Sequence, residues 1–150
     1  MKTIAEILVI PFIKNKKGNF LYATFLCNGD IYWAPITGGV FETETFLQAC
    51  VREVFEETGI RSKQKDFIKL TASSMIPAPW LGLKKPLLIP ERCFGLPLMD
   101  MSVSLSQEHS QIKWLPFQKA FSLYRYEAHK IALWELDNYL KKSDTLDFKK

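Results

Sequence analysis

Residues 38–60 read GGVFETETFLQACVREVFEETGI. Gly38-Gly39 is expected to open a loop, and residues 45–58 have the spacing of a helix. Leu47, Val51 and Val54 recur there at i, i+4 and i+7. Gly59 stands where a left-handed residue closes such a helix. At 100° per residue, Glu53, Glu56 and Glu57 fall within an arc of about 100°, roughly opposite the apolar stripe. The expectation is one core face and one carboxylate face. Like charges at i, i+3 and i+4 repel, each pair costing a few tenths of a kcal/mol. A hard divalent cation converts that repulsion into ligation, because Mg2+ and Mn2+ favour oxygen donors. An acidic run by itself is more often a solvated face, with Arg52 an ordinary surface ion-pair partner. The flanking residues therefore decide its meaning.

The surroundings set the frame. The chain has 150 residues, 47% hydrophobic and 24% charged, which suits one domain over residues 1–150 with a real core. No apolar run is long enough to span a bilayer. The run at 7–13 is broken by Pro11 and reads as a buried strand instead of a signal peptide. Cys27, Cys50 and Cys93 are scattered without a CxxC pair, which argues against a disulfide framework and for a reducing compartment, the cytoplasm. The formal net charge is +4. Residues 141–150, expected to be a frayed tail, carry four lysines and two aspartates. Residues 41–60 carry five glutamates and one arginine, net −4. A negative patch inside a positive protein needs a reason. No lysine or arginine stripe appears, so nucleic acid is not an expected partner, and neither is a membrane.

Strands are expected at 6–14, 19–27, 66–76, 87–98 and 112–115, with a short extended piece at 31–34. Turns are expected at 15–18 and at Asn28-Gly29-Asp30. A helix or helical turn at 116–124 and an amphipathic helix at 127–140 complete the chain. This irregular alternation implies a mixed sheet with helices packed on it.

In full, the opening segment reads Gly38, five residues, Glu44, seven residues, Arg52-Glu53-Val54, one residue, Glu56-Glu57, one residue, Gly59-Ile60. It resembles the Nudix box at every fixed position. From average usage a chance match is on the order of one in a billion at any one start. The resemblance implies an α/β Nudix fold, a mixed β-sheet sandwiched between helices, and hydrolysis of a diphosphate bond with Mg2+ as cofactor and Mn2+ as a substitute. It implies Glu53, Glu56 and Glu57 as metal ligands, with Glu56 central. One of these glutamates, or one from a later loop, activates the water. Gly38 is expected to let the backbone turn between strand and loop without a Cβ clash. Glu44 can pair with Arg52 and fix the loop against the helix, so that Arg52 holds a carboxylate instead of binding substrate. Val54 and Ile60 anchor the helix, and Gly59 ends it. The sequence departs from many members at Thr43, where they have glycine.

Two further segments resemble a subset of the family, the bacterial dihydroneopterin triphosphate (dATP) pyrophosphohydrolases. One is Trp33 with Thr37-Gly38-Gly39. The other is Ser106-Gln107-Glu108-His109, Trp114-Leu115, Ala120, and Ala132-Leu133 in the last helix. The substrate implied is a small-molecule nucleotide or pterin triphosphate. In that subset the glutamate matching Glu108 is a metal ligand or candidate base; the alternative for Glu108 is an exposed loop acid. His109 reads more readily as a structural hydrogen-bonder than as a base. Diadenosine tetraphosphate hydrolases share the box and a Glu-His pair followed by Trp-Leu, but usually carry Lys-Gly-His where this chain has Thr37-Gly38-Gly39.

Trp33, Phe41 and Trp80 are candidates to stack on a purine or pterin ring, with core packing the competing reading. Trp114 reads as core. Glu91 faces either the site or solvent, and Lys84 and Lys85 either steer phosphates or lie in a solvated loop. A non-catalytic regulatory Nudix domain would be expected to have lost box glutamates, and this chain keeps them. Oligomeric state is left open.

Overall fold

Strand β1 (Thr3–Lys14) organises the molecule. In the computed structural model, which describes residues 2–149 except 28 and 30 and side chains up to residue 143, β1 pairs in parallel with β6 (Leu88–Pro97). Its first half pairs antiparallel with β4 (Ile36–Phe41), and its end pairs antiparallel with β2 (Phe20–Cys27). β2 also pairs with β3 (Trp33–Ala34) and β7 (His109–Leu115), and β5 (Ile68–Pro77) closes the far edge against β6. One parallel pairing among antiparallel ones makes this the mixed sheet expected from the sequence.

The helices are α1 (Phe46–Thr58), α2 (Phe117–Leu123) and α3 (Glu127–Lys149). Because β1 is almost wholly buried, both of its faces are apolar, as a strand covered on two sides requires. Ala5, Ile7 and Val9 pack with Ala49, Cys50 and Val54 of α1. Leu8, Ile10 and Phe12 pack with Ala132, Leu133 and Leu136 of α3. The result is three layers, α1 on one face and α3 on the other. A buried bond from Tyr22 to Asp137 helps fix α3.

Four expectations change. Gly38 and Gly39 belong to strand β4 and not to a loop, because they continue the ladder on β1 in register with Ile7 and Glu6. In α1 the buried residues are Ala49, Cys50, Glu53, Val54, Glu57 and Thr58. Two of the three carboxylates thus share the core side, while Leu47 and Val51 are only half-buried. α3 extends to Lys149, past the expected end at 140 and through the residues expected to fray; side chains from 144 onward lie outside the described residues. The segment after β5 forms a short 3-10 turn, Ala78–Leu81, carrying Trp80. Of the turn expected at Asn28-Gly29-Asp30, Gly29 has a positive φ of 85°, and its two neighbours lie outside the described residues.

Candidate active site

Local chemistry starts and stops α1. The Thr45 hydroxyl accepts from the Gln48 N–H at 3.1 Å, and the Gln48 side chain accepts from the Thr45 N–H at 2.9 Å, a reciprocal capping box. Gly59 at φ 75° donates to Phe55 O at 2.8 Å, the left-handed closure that favours glycine.

Arg52 is the hub of the helix. Its Nε and Nη2 donate to the two carboxylate oxygens of Glu44 at 2.7 and 2.9 Å, a bidentate fork. Nη2 also donates to Gly39 O at 2.7 Å. Its Nη1 reaches Glu53 at 2.9 Å and Glu56 at 3.3 Å. Its guanidinium carbon lies 4.4 Å from the centroid of the Phe41 ring. The hydrogen bonds from Arg52 hold the Glu44 carboxyl below its usual range. One cation therefore ties strand β4, the loop that follows it and two helix carboxylates together.

Gly38 is required by close approach. A Cβ there would sit 2.2 Å from Glu53 Cδ, so the missing side chain is the space that the Glu53 carboxylate fills. Burial pushes Glu53 up to about 7 against the pull of Arg52. Glu57 is buried too, and is satisfied from β7 and the loop before it. His109 Nδ1 lies 2.8 Å from Glu57 Oε2, and Ser106 Oγ donates to the same oxygen at 2.7 Å. Burial works against the Glu57 carboxylate, but these bonds outweigh it and lower its pKa. Burial likewise works against the His109 imidazolium, yet its bonds to Cys27 and Glu57 raise it to about 9. His109 is thus an ion-pair partner of a buried carboxylate. Glu108 is exposed, and its hydrogen bond with Glu57 raises it. Glu56 has a half-exposed side chain.

The donor set suits a hard cation. Four carboxylates, Glu53, Glu56, Glu57 and Glu108, gather at one end of α1 and the start of β7. As the side chains stand, no three carboxylate, imidazole or thiolate groups among the described residues converge on one point. Glu53 and Glu56 turn to Arg52, and Glu57 to His109. The oxygen-only chemistry fits Mg2+ or Mn2+, and the exposed Glu56 and Glu108 can turn to a cation without unpacking anything.

Across the sheet from this helix, on the α3 face, lies a cavity of about 460 Å3 lined by Glu6, Tyr32, Thr37, Trp80, Glu91 and Tyr126, among others. Strand β4 separates the two places: Thr37 lines the cavity, and Gly38 backs on Glu53. Of the aromatic candidates, Trp80 stands at the cavity. Phe41 packs under Arg52, and Trp33 lies off the cavity with Lys113 Nζ 4.8 Å from its ring centroid. Tyr32, the residue just before β3, lines the cavity, and Trp33, the first residue of β3, does not. Lys84 and Lys85 are not among the lining residues. Sequence reasoning missed Tyr32, Tyr126, Ser106 and Glu6. Two of them carried a readable signal: Glu6 is an acid at a buried position of an otherwise apolar strand, and Ser106 opens the Ser106-Gln107-Glu108-His109 segment.

A NUDIX domain model matches residues 6–135 of this chain. The chain belongs to the Nudix family. It is a hydrolase acting on phosphoric anhydride bonds, in a family that generally uses divalent metal ions and small-molecule nucleotide substrates. This Nudix chain is 30% identical over 132 residues to the bis(5'-nucleosyl)-tetraphosphatase of Sus scrofa, covering 88% of this chain and 87% of that protein. It superposes on a NUDIX hydrolase of Listeria monocytogenes with TM-score 0.83 and 30% identity, covering 93% and 96% of the two chains. The E. coli dihydroneopterin triphosphate pyrophosphohydrolase shares the fold, with TM-score 0.73 and 24% identity over 86% and 91% of the chains. No helix of the described residues is long and apolar enough to cross a membrane.

Proposed function

We propose that this single-domain Nudix hydrolase splits a nucleoside or pterin triphosphate into the monophosphate and pyrophosphate. The observation that supports this most is the placement of a ring-sized cavity on the far side of glycine-bearing strand β4 from the carboxylate helix. Its volume lies in the range of small-molecule sites, about 300–1,000 Å3. Glu53, Glu56, Glu57 and Glu108 would hold Mg2+, with Mn2+ as a substitute. When bound, the cation lowers the pKa of a coordinated water and neutralises phosphate charge. Arg52, clamped by Glu44, orients Glu53; His109 and Ser106 orient Glu57. Glu53, Glu56 or Glu108 takes the proton of the attacking water. The water oxygen bonds to phosphorus, the anhydride P–O bond breaks, and its electron pair leaves with the pyrophosphate oxygen.

The experiment is Glu56→Gln assayed for pyrophosphate release with Mg2+. A loss of about 10²-fold or more is expected for a group acting on the proton or the cation. Near wild-type turnover would overturn the role of Glu56. A second reading, cleavage of a dinucleoside tetraphosphate, is favoured by the Sus scrofa relative. Product identity separates the two, since a triphosphate releases pyrophosphate whereas asymmetric cleavage of diadenosine tetraphosphate releases ATP and AMP.

A further inference from the structure

The cavity on the α3 face has a polar floor running across three strands. Glu6 of β1 is in register with Glu91 of β6, and Glu91 with Ser74 of β5, so the three side chains leave one face of the sheet. Ser74 Oγ donates to Glu91 Oε1 at 3.1 Å. Glu6 is 7% exposed and Glu91 1%, and no lysine or arginine is among the residues lining the cavity. Two carboxyls this close and this buried cannot both ionise. Burial, followed by the charge of Glu91, pushes Glu6 up to about 9. One proton held between the two acids leaves the outer oxygens as acceptors.

A second observation comes from α3. His129 lines the same cavity, is 8% exposed, and its Nδ1 finds no hydrogen-bond partner among the described residues. Burial holds this imidazole neutral. A buried polar atom without a partner costs free energy that a bound ligand can recover. Tyr32 and Tyr126 meet edge to face at 5.4 Å, and Trp80, 77% exposed, stands at the mouth. Aromatic walls over a polar floor are the surroundings a flat heterocycle needs.

We propose that Glu6 and Glu91 are specificity-determining residues that bind the 2-amino-4-oxo edge shared by guanine and pterin rings. That edge presents a ring N–H beside an exocyclic NH2, two adjacent donors that match paired carboxyl acceptors. The corresponding edge of adenine alternates donor and acceptor and would set its ring nitrogen against an acceptor oxygen. His129 Nδ1 supplies a further polar contact, and Trp80 a stacking face. The phosphate chain then leaves past Thr37 toward the Gly38-Gly39 stretch of β4, which stands between the cavity and the Glu53 carboxylate. This assignment rests on the triphosphate reading of the same site.

The test compares GTP with ITP, which lacks only the 2-amino group, and with dihydroneopterin triphosphate, all with Mg2+ and all scored by pyrophosphate. KM for ITP should exceed that for GTP by about tenfold or more, the weight of a hydrogen bond to a charged group, with kcat little changed. Glu91→Gln, nearly isosteric, should erase that difference; its melting temperature checks folding. Equal KM values in the wild type, or a ratio that survives Glu91→Gln, would overturn the assignment. Metal-free binding is read separately, as quenching of the Trp80 fluorescence that Trp80→Phe removes. GMP should quench at about tenfold lower concentration than IMP, and equal quenching counts against the proposal. A comparison of GMP with neopterin shows which ring source is preferred. If no triphosphate is hydrolysed while GMP is still preferred to IMP, the triphosphate reading fails and the edge assignment stands.

Discussion

Two pairs of buried carboxylates lie on opposite faces of one sheet, and they are kept in different ways. On the α1 face, Glu53 and Glu57 are met by cations, Arg52 and a protonated His109. On the α3 face, Glu6 and Glu91 have each other and the Ser74 hydroxyl. Burying a carboxylate is costly without compensation. One face supplies opposite charge and the other a shared proton. The difference teaches what each place can do. Carboxylates held against cations, with exposed neighbours free to turn to a divalent metal ion, suit phosphate chemistry, and a pair that shares a proton in an aromatic-walled cavity suits reading a neutral ring.

The largest break in this comparison should come from Arg52→Ala. It leaves Glu44 and Glu53 without their cation, so kcat/KM should fall about 10–100-fold, the usual range for residues that orient metal ligands. Stability should fall by about 3 kcal/mol, as when a largely buried ion pair loses one partner. Chemical denaturation with parallel kinetics measures both, and unchanged kinetics would detach Arg52 from the site. Next is Gly38→Ala. Its methyl would meet Glu53 at 2.2 Å, displacing the carboxylate; a roughly tenfold or greater activity loss is expected, with about 1–3 kcal/mol of overpacking strain. Equal activity in Gly38→Ala would show that Glu53 does not need its present position.

Smaller effects sharpen the contrast through pH. The folded pKa of Glu6 is raised from 4.5 to about 9, so its contribution is fully present below pH 4.5 and is lost as pH rises toward 9. Glu6→Gln should remove that decline, worth at most about 1.4 kcal/mol per pH unit. A wild-type stability curve just as steep after the substitution would contradict the shared proton. His109, raised from 6.5 to about 9, contributes stability that is complete below pH 6.5 and lost through pH 9. Glu57, with a lowered pKa, contributes above 4.5 and loses it as pH falls. His109→Gln should therefore cost about 3 kcal/mol at pH 6 and little above pH 9, as read from thermal melts.

Much of the carboxylate helix was legible because its determinants are local. Helical spacing and the Gly59 closure both act within a few residues of the chain. The Glu44–Arg52 pairing was also accessible, since both residues flank one loop. Which side of α1 faces the core was not. The apolar spacing placed the carboxylates outward, yet Glu53 and Glu57 are buried because Gly38 vacates space for one and His109 satisfies the other. Those partners come from strands β4 and β7, and no periodicity within α1 reports them. Trp33 was the candidate aromatic of that segment, but its neighbour Tyr32 lines the cavity in its place.

By itself, the amino-acid order determined the family, the mixed sheet and the helix that carries the carboxylates at 53, 56 and 57, because box spacing and helix geometry act over short stretches of chain. Tertiary structure alone decided the use of Gly38 as a berth for Glu53, the pairing of Glu57 with His109 and the row from Glu6 through Glu91 to Ser74. The first two join α1 to strands β4 and β7 by packing across layers, and the third follows sheet register, which is set by which strands become neighbours.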